Sequence, residues 1–359
     1  MNVFTLFLIT FTCGFLQNVV SNANPLSYEA FFNFGDSISD TGNAASILLP
    51  MPNPIPYGSS YFKHPSGRMS NGRLIIDFIA EAYGLPFLPA YENKSIDQDI
   101  KKGVNFAFAG ATVLNVEYYV KNGLPLPDTN NSLSIQLGWF KNIKPLLCKS
   151  KEDCNIYFKK SLFIVGEIGG NDIMKHMKHK TVIELREIVP FMVEAITNTT
   201  NVLFEEGAVE LVVPGNFPMG CSAVMFTLVN SNKKEDYDEF GCLIAYNNLV
   251  EYFNGQLKNS IETLRQKHPE VKIIYFDYYN DAKRLYQTPQ QYGFDKDAIF
   301  KACCGGCGSL VAIVCSDPSN RINWDGPHFT EAAYKLIAKG LVEGPFSNPS
   351  LKSPLFKIA

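Results

Sequence analysis

Charge is scarce in this sequence. Only 19% of its 359 residues are Asp, Glu, Lys or Arg, and the formal net charge is −3. No basic block or stripe stands out, so nothing in the composition points to nucleic acid or an anionic membrane surface as a partner. Long apolar runs are scarce as well. The one near the start covers residues 4–15 and is shorter than a spanning helix requires, and no later stretch reaches that length. Internal repeats and low-complexity linkers are missing, which leaves no natural point at which to divide the chain. Histidine is rare, at five, so each can be weighed singly.

What is present suits a sizeable core, with 46% hydrophobic residues. Residues 1–23 read as a secretory leader: an uncharged apolar stretch, then Ser21-Asn22-Ala23 as a small-residue cleavage site, although the segment before the apolar stretch lacks Lys or Arg. A single domain over residues 24–359 is therefore expected. Nine cysteines, of which Cys13 lies in the leader, leave eight, and an even number in a secreted chain suggests disulfides. Cys148 and Cys154 can close a short loop, and Cys221 and Cys242 can staple a polar excursion. Cys303, Cys304, Cys307 and Cys315 allow three pairings. Zinc is the rival for that cluster: adjacent Cys303-Cys304 fits the usual ligand spacing poorly and Cys304-Gly305-Gly306-Cys307 fits it, but the secretory context favours disulfides. Asn93, Asn130 and Asn198 begin Asn-x-Ser/Thr sequons and are candidate glycan sites.

Along the chain, short apolar runs alternate with helical patterns. Runs at 31–34, 104–112, 161–166, 209–214 and 271–277 predict strands. The spacing of apolar residues predicts helices over 74–83, 135–147, 182–206, 240–266 and 330–340, with another starting near Ala44. Between them lie a Pro-rich loop at 50–56 and a polar, Gly-containing segment at 62–73. Five strands alternating with helices predict a parallel sheet sandwiched between helices.

Two stretches carry chemistry. In Phe34-Gly35-Asp36-Ser37-Ile38-Ser39-Asp40-Thr41-Gly42-Asn43 a strand breaks at Gly35 and a serine follows it. Open α/β sheets place ligands outside the carboxyl ends of their strands. The bland alternative is a turn in which Ser37 or Asp36 merely caps the next helix. Far downstream, Asp325-Gly326-Pro327-His328 sets an acid three residues before a histidine in a tight turn, where one can orient the other as a general base. Together, in this order, the two stretches outweigh the bland reading. Gly110 and Asn171 each end a strand and, taken singly, read as a turn glycine and a helix cap. His176 and His179, three apart, read as a solvated helix face rather than a metal site, and His64 and His268 as exposed. Phe217, Met219, Met225 and Phe226 are apolar candidates for an acyl pocket, with core packing the commoner role.

With these residues in view, the chain resembles the plant GDSL esterase/lipases of the SGNH hydrolase superfamily. The resemblance covers nearly the whole chain after the leader. It rests on four blocks in order: 34–43, 105–111 (Asn-Phe-Ala-Phe-Ala-Gly-Ala), Gly169-Gly170-Asn171-Asp172, and 325–328. Ile38 stands where the family has Leu, a conservative change. The resemblance implies a flavodoxin-like three-layer α/β/α sandwich with a central five-stranded parallel sheet. It implies Ser37 as nucleophile, His328 as base and Asp325 as its orienting partner. The oxyanion hole would be the Ser37 and Gly110 N–H groups with the Asn171 amide. The rival α/β-hydrolase elbow, G-x-S-x-G, is not found in this sequence. The implied protein is a secreted monomer, in apoplast, cell wall or vacuole, acting on small-molecule or lipid esters with no metal or organic cofactor. An acyltransferase using the same triad and a non-catalytic secreted binding glycoprotein are the alternatives.

Overall fold

The computed structural model describes residues 27–48, 56–93, 99–309 and 311–359. The leader reading, most of the Pro-rich loop, and Lys94 and Ser95 of the first sequon lie outside the described residues. Five parallel strands form as expected: β1 (Ala30–Phe34), β2 (Gly103–Asn105), β3 (Ser161–Val165), β4 (Glu210–Pro214) and β5 (Lys272–Phe276). A separate two-stranded ribbon joins β6 (Cys304–Gly305) to β7 (Ile313–Val314). A short β8 (Ser347–Asn348) adds an antiparallel edge, so the main sheet runs β2-β1-β3-β4-β5-β8.

The strands are buried on both faces, as parallel strands under crossover helices must be. Their side chains alternate accordingly. Phe32, Phe34, Phe163, Val165, Leu211 and Val213 enter one core with the helices Leu133–Leu147, Val182–Glu205 and Ile244–Lys267. Phe31, Leu162, Ile164, Val212 and Phe276 enter the other, with the helices Ile75–Ala82, Tyr278–Gln287 and Glu331–Val342. The result is a three-layer α/β/α sandwich. Phe32 stacks on Phe163 at 5.0 Å and meets Phe140 edge-on at 5.7 Å. Cutting such a ring to Ala costs about 3–5 kcal/mol.

One strand is shorter than its sequence pattern. The run at 104–112 pairs as a strand only through Asn105. Beyond it the chain still follows β1, with Phe106 N donating to Asn33 O at 2.7 Å and Phe108 N to Gly35 O at 3.1 Å. It then turns at Gly110, whose φ of +84° favours glycine. No helix among the described residues is long and apolar enough to cross a membrane. The eight cysteines pair as Cys148–Cys154, Cys221–Cys242, Cys303–Cys315 and Cys304–Cys307. The last two nest within each other and pack with buried Trp324.

Candidate active site

The site forms at the carboxyl ends of β1 and β3, where the chain must leave the sheet. At the end of β1, Gly35 has φ +140°, and a Cβ there would sit 2.9 Å from both Glu167 O and Ser39 Oγ. Only glycine lets the two strand ends approach this closely. Its backbone is held by buried Gln136, which accepts from Gly35 N at 2.9 Å and donates to Gly35 O at 2.8 Å. The turn that follows presents Ser37, and Asp40 then caps the short helix Asn43–Leu48 through Asn43 N and Ala44 N. Asp40 also accepts from Ala109 N at 2.8 Å, and Asn43 donates to Asn105 O and Ala107 O at 2.8 Å. The serine turn and the Gly110 turn are therefore fixed to each other.

His328 lies across from Ser37. Its Nε2 is 2.8 Å from Ser37 Oγ, and its Nδ1 is 2.8 Å from both carboxylate oxygens of Asp325. With Nδ1 protonated toward the carboxylate, Nε2 is left to accept the serine proton. Burial alone would disfavour a charged ring, but the Asp325 charge and hydrogen bond outweigh it, with help from Asp36, and His328 is raised above 6.5. Burial likewise works against the Asp325 carboxylate. The facing His328 and hydrogen bonds from His328 and Tyr57 overcome it and hold Asp325 below its ordinary 3.8. These groups can transfer a proton from a hydroxyl to an imidazole without moving a heavy atom far.

Asn171 sits beside Ser37 at the start of the helix Gly170–His176. Its Nδ2 donates to Ala111 O at 2.9 Å and, more weakly, to Asp36 Oδ2 at 3.1 Å. Asp172 anchors the same block, accepting from Val113 N, Leu114 N and the Tyr119 hydroxyl. Ser37, Asn171 and His328 line a small cleft of about 60 Å³, with Met174, Phe217, Met219 and Phe329 as its apolar wall. Gly110 lies on an adjoining hollow of about 490 Å³ that shares Asn171 and Met174 with the cleft. The four sequence blocks thus meet at one place.

The family model for GDSL-like lipase/acylhydrolase matches residues 31–341. The chain belongs to this family. An Arabidopsis thaliana GDSL esterase/lipase is 44% identical over 98% of this chain and 100% of its own length. A second from the same plant is 44% identical over 94% of this chain and 91% of its own. The sinapine esterase of Brassica napus is 41% identical over 92% and 90%.

In this GDSL-family chain several supporting residues escape a reading of the sequence. Tyr57 donates its hydroxyl to Asp325 Oδ2 at 2.6 Å. The polar segment before the helix Ile75–Ala82 grips the chain just after the histidine turn. Ser70 Oγ donates to Phe329 O at 3.0 Å, Asn71 Oδ1 accepts from Glu331 N at 2.8 Å, and Arg73 Nε donates to Glu331 Oε1 at 2.7 Å. The sequence of 66–73 reads as an ordinary polar loop and carries no signal of these contacts.

His176 corrects an expectation. It is fully buried, stacked on Tyr119 with Nδ1 2.6 Å from Asp172 O, rather than solvated. The helix ends at His176, so exposed His179 does not share its face. His64 is exposed, and His268 is half-buried beside Asn201. Of the candidate pocket residues, Phe217 and Met219 line the cleft. Met225 is in the core, and Phe226 packs between Tyr237 and Phe300.

Proposed function

We propose that this chain is a secreted carboxylic ester hydrolase that works through an acyl-enzyme on Ser37. The observation that carries the reading is the unbroken Ser37–His328–Asp325 chain, with 2.8 Å at each link, opening onto a cleft. Ser37 Oγ attacks the ester carbonyl carbon as its proton passes to His328 Nε2. The tetrahedral oxyanion is received by the Ser37 and Gly110 N–H groups and by Asn171 Nδ2, which exchanges its weaker contact with Asp36 for the new oxygen. Each such donor is worth roughly 3–4 kcal/mol in other oxyanion holes. His328 returns the proton to the leaving alkoxide. Water then attacks the acyl-enzyme, gives its proton to His328, and the acid departs with Ser37 restored. Asp325 keeps the imidazole in the productive tautomer throughout.

The cleft offers an apolar wall to the acyl group, and the adjoining hollow that shares Asn171 and Met174 gives room beyond it. The relative named sinapine esterase makes sinapine the first natural ester to try. In this reading residues 1–23 are removed as a leader and the domain over 24–359 acts as a monomer in the apoplast, wall or vacuole. Asn93, Asn130 and Asn198, all exposed, carry glycans. The test is hydrolysis of p-nitrophenyl esters from acetate to palmitate by the secreted protein and by Ser37→Ala. Loss of about six orders of magnitude in kcat in the variant is expected. Equal activity in both would refute the assignment of Ser37.

A further inference from the structure

The ends of β1 and β3 carry the same pair of residue types side by side. Phe34 is in register with Val165, so Gly35-Asp36 runs alongside Gly166-Glu167. Asp36 N donates to Glu167 O at 3.2 Å, and the two carboxyl groups lie within hydrogen-bonding reach of each other. Both side chains are buried, at 3% and 5% exposure, and both line the cleft beside Ser37. The mechanism above uses neither as an acid or base.

We propose that Glu167 is a positioning residue that works in its protonated form, donating a hydrogen bond to Asp36 and so holding the Asp36 carboxylate in place under Asn171. This rests on the esterase reading of the site. The argument is one of donors and charge. Two adjoining buried carboxylates cannot both ionise without strong repulsion, so the pair shares one negative charge and one proton. The charge belongs on Asp36. It accepts from Ile38 N at 3.0 Å and from Asn171 Nδ2 at 3.1 Å, and the His328 ring is close enough to stabilise it. Glu167 has poorer support. Apart from Asp36, its side-chain partner is Asn216, whose amide, turned to satisfy both its ends, donates to Glu167 Oε1 at 3.2 Å and Ile168 O at 3.1 Å.

The groups facing Glu167 from the surrounding elements are Asp36 after β1, Asp172 on the helix Gly170–His176, Tyr278 on the helix Tyr278–Gln287, and Tyr334 on the helix Glu331–Val342. None is a cation, and no Lys or Arg forms an ion pair with either carboxyl among the described residues. Burial, followed by the Asp36 charge and hydrogen bond, holds Glu167 well above the usual carboxyl range.

The function follows from what Asp36 touches. Its Oδ1 shapes the turn after Ser37 through Ile38, and its Oδ2 restrains the Asn171 amide. Its charge also lies near His328 as that ring becomes imidazolium. Deprotonating Glu167 would set a second negative charge against Asp36. The Asp36 side chain would swing away, and Asn171 and the serine turn would lose their alignment.

The experiment compares wild type, Glu167→Gln and Glu167→Ala across pH with p-nitrophenyl acetate. Gln keeps a donor and cannot ionise; Ala removes the donor. Glu167→Ala is expected to lose about tenfold or more in kcat with KM little changed, as for a donor displaced from the transition state. Glu167→Gln is expected to recover most of that loss and to hold its kcat further into alkaline pH than wild type. A Glu167→Gln profile that superimposes on wild type, or a Glu167→Ala enzyme as active as wild type, would overturn the proposal. A second readout needs no turnover. The infrared difference spectrum between Ser37→Ala and Ser37→Ala/Glu167→Gln at neutral pH should contain a protonated-carboxyl stretch belonging to Glu167. Absence of that stretch from the difference would place the proton elsewhere and sink the idea. Inactivity of wild type on every ester would instead remove the esterase reading, while the infrared result would still decide where the proton lies.

Discussion

Tyr57 and Asp325, separated by 268 positions in the chain, are joined by a 2.6 Å hydrogen bond from the phenol to the carboxylate Oδ2. The same carboxylate receives the His328 ring and the His328 backbone N–H. Asp325 is therefore held from two sides, and its own rotation is prevented. Tyr57→Phe removes one donor from a buried charge, which costs roughly 1–3 kcal/mol. The expected result is a fall in kcat of about tenfold with KM nearly unchanged, read from initial rates on a short-chain ester. Unchanged kcat would mean that His328 alone suffices to orient Asp325.

The pH dependence of activity has a definite sign. In the proposed mechanism His328 must be neutral at Nε2 to accept the Ser37 proton. Its affinity for protons is raised in the folded enzyme by Asp325 and Asp36, despite burial. The acid limb of kcat/KM should therefore lie above pH 6.5, the ordinary histidine value. Asp325→Asn removes the dominant negative neighbour and should move what remains of that limb to lower pH. Stopped-flow or steady-state profiles of both proteins test the direction.

Stability should move the opposite way from that of a protein rich in surface ion pairs. Burial raises Asp172 to about 6 and Asp281 to about 7, against 3.8 for an ordinary aspartate. Between the unfolded and folded values the native state binds more protons than the unfolded chain. Stability therefore falls as pH rises through that window and levels off above it. His328, raised on folding, adds to the same slope, because its contribution is complete below 6.5 and is lost as pH climbs through the folded value. Thermal scans should give a higher Tm at mildly acidic pH than at mildly alkaline pH. Asp281→Asn should flatten part of the slope, since this carboxyl is buried against Arg284 with Oδ2 unpaired. A Tm that rises with pH across this range would contradict the account.

The nested disulfides bear on the site through the backbone. Cys303 N donates to Asn323 O at 3.0 Å and Cys304 N to Trp324 O at 2.6 Å, immediately before Asp325. Trp324 itself is fully buried. Cys303→Ser/Cys315→Ser opens a bridge of sequence separation 12, and a loop of that size is worth about 3 kcal/mol. Activity and thermal stability should drop together in this variant. Cys148→Ser/Cys154→Ser, whose bridge lies at the end of the helix Leu133–Leu147, should lower Tm with little change in kcat.

The parallel sheet was legible because each strand is a short apolar run that stops at Gly, Pro or a polar residue. The serine and histidine turns were legible because their chemistry is local. Tyr57 was not, since nothing within its own neighbourhood announces a partner so distant in sequence. The edge strand Ser347–Asn348 has no apolar pattern, and its position is set by pairing with Tyr275 and Phe276. The cysteine pairing stayed open because adjacent Cys303 and Cys304 sit almost equally far along the chain from Cys307 and Cys315. His176 was misjudged because a spacing of three implies a shared face only while the helix continues, and here it stops. The Asp36–Glu167 pair was not legible, since the two Gly-acid dipeptides lie far apart in the chain and only the β1–β3 register makes them adjacent.

The contact between Ser37 and His328 spans 291 positions. On a ribosome the serine emerges early and its proposed base near the end. The helix Glu331–Val342 has to settle into the core it shares with the helix Ile75–Ala82 before the two can meet. Until then Ser37 is an ordinary hydroxyl. If the proposed triad is right, a growing or half-folded chain is chemically silent toward the esters around it, and reactivity waits on completion of the fold.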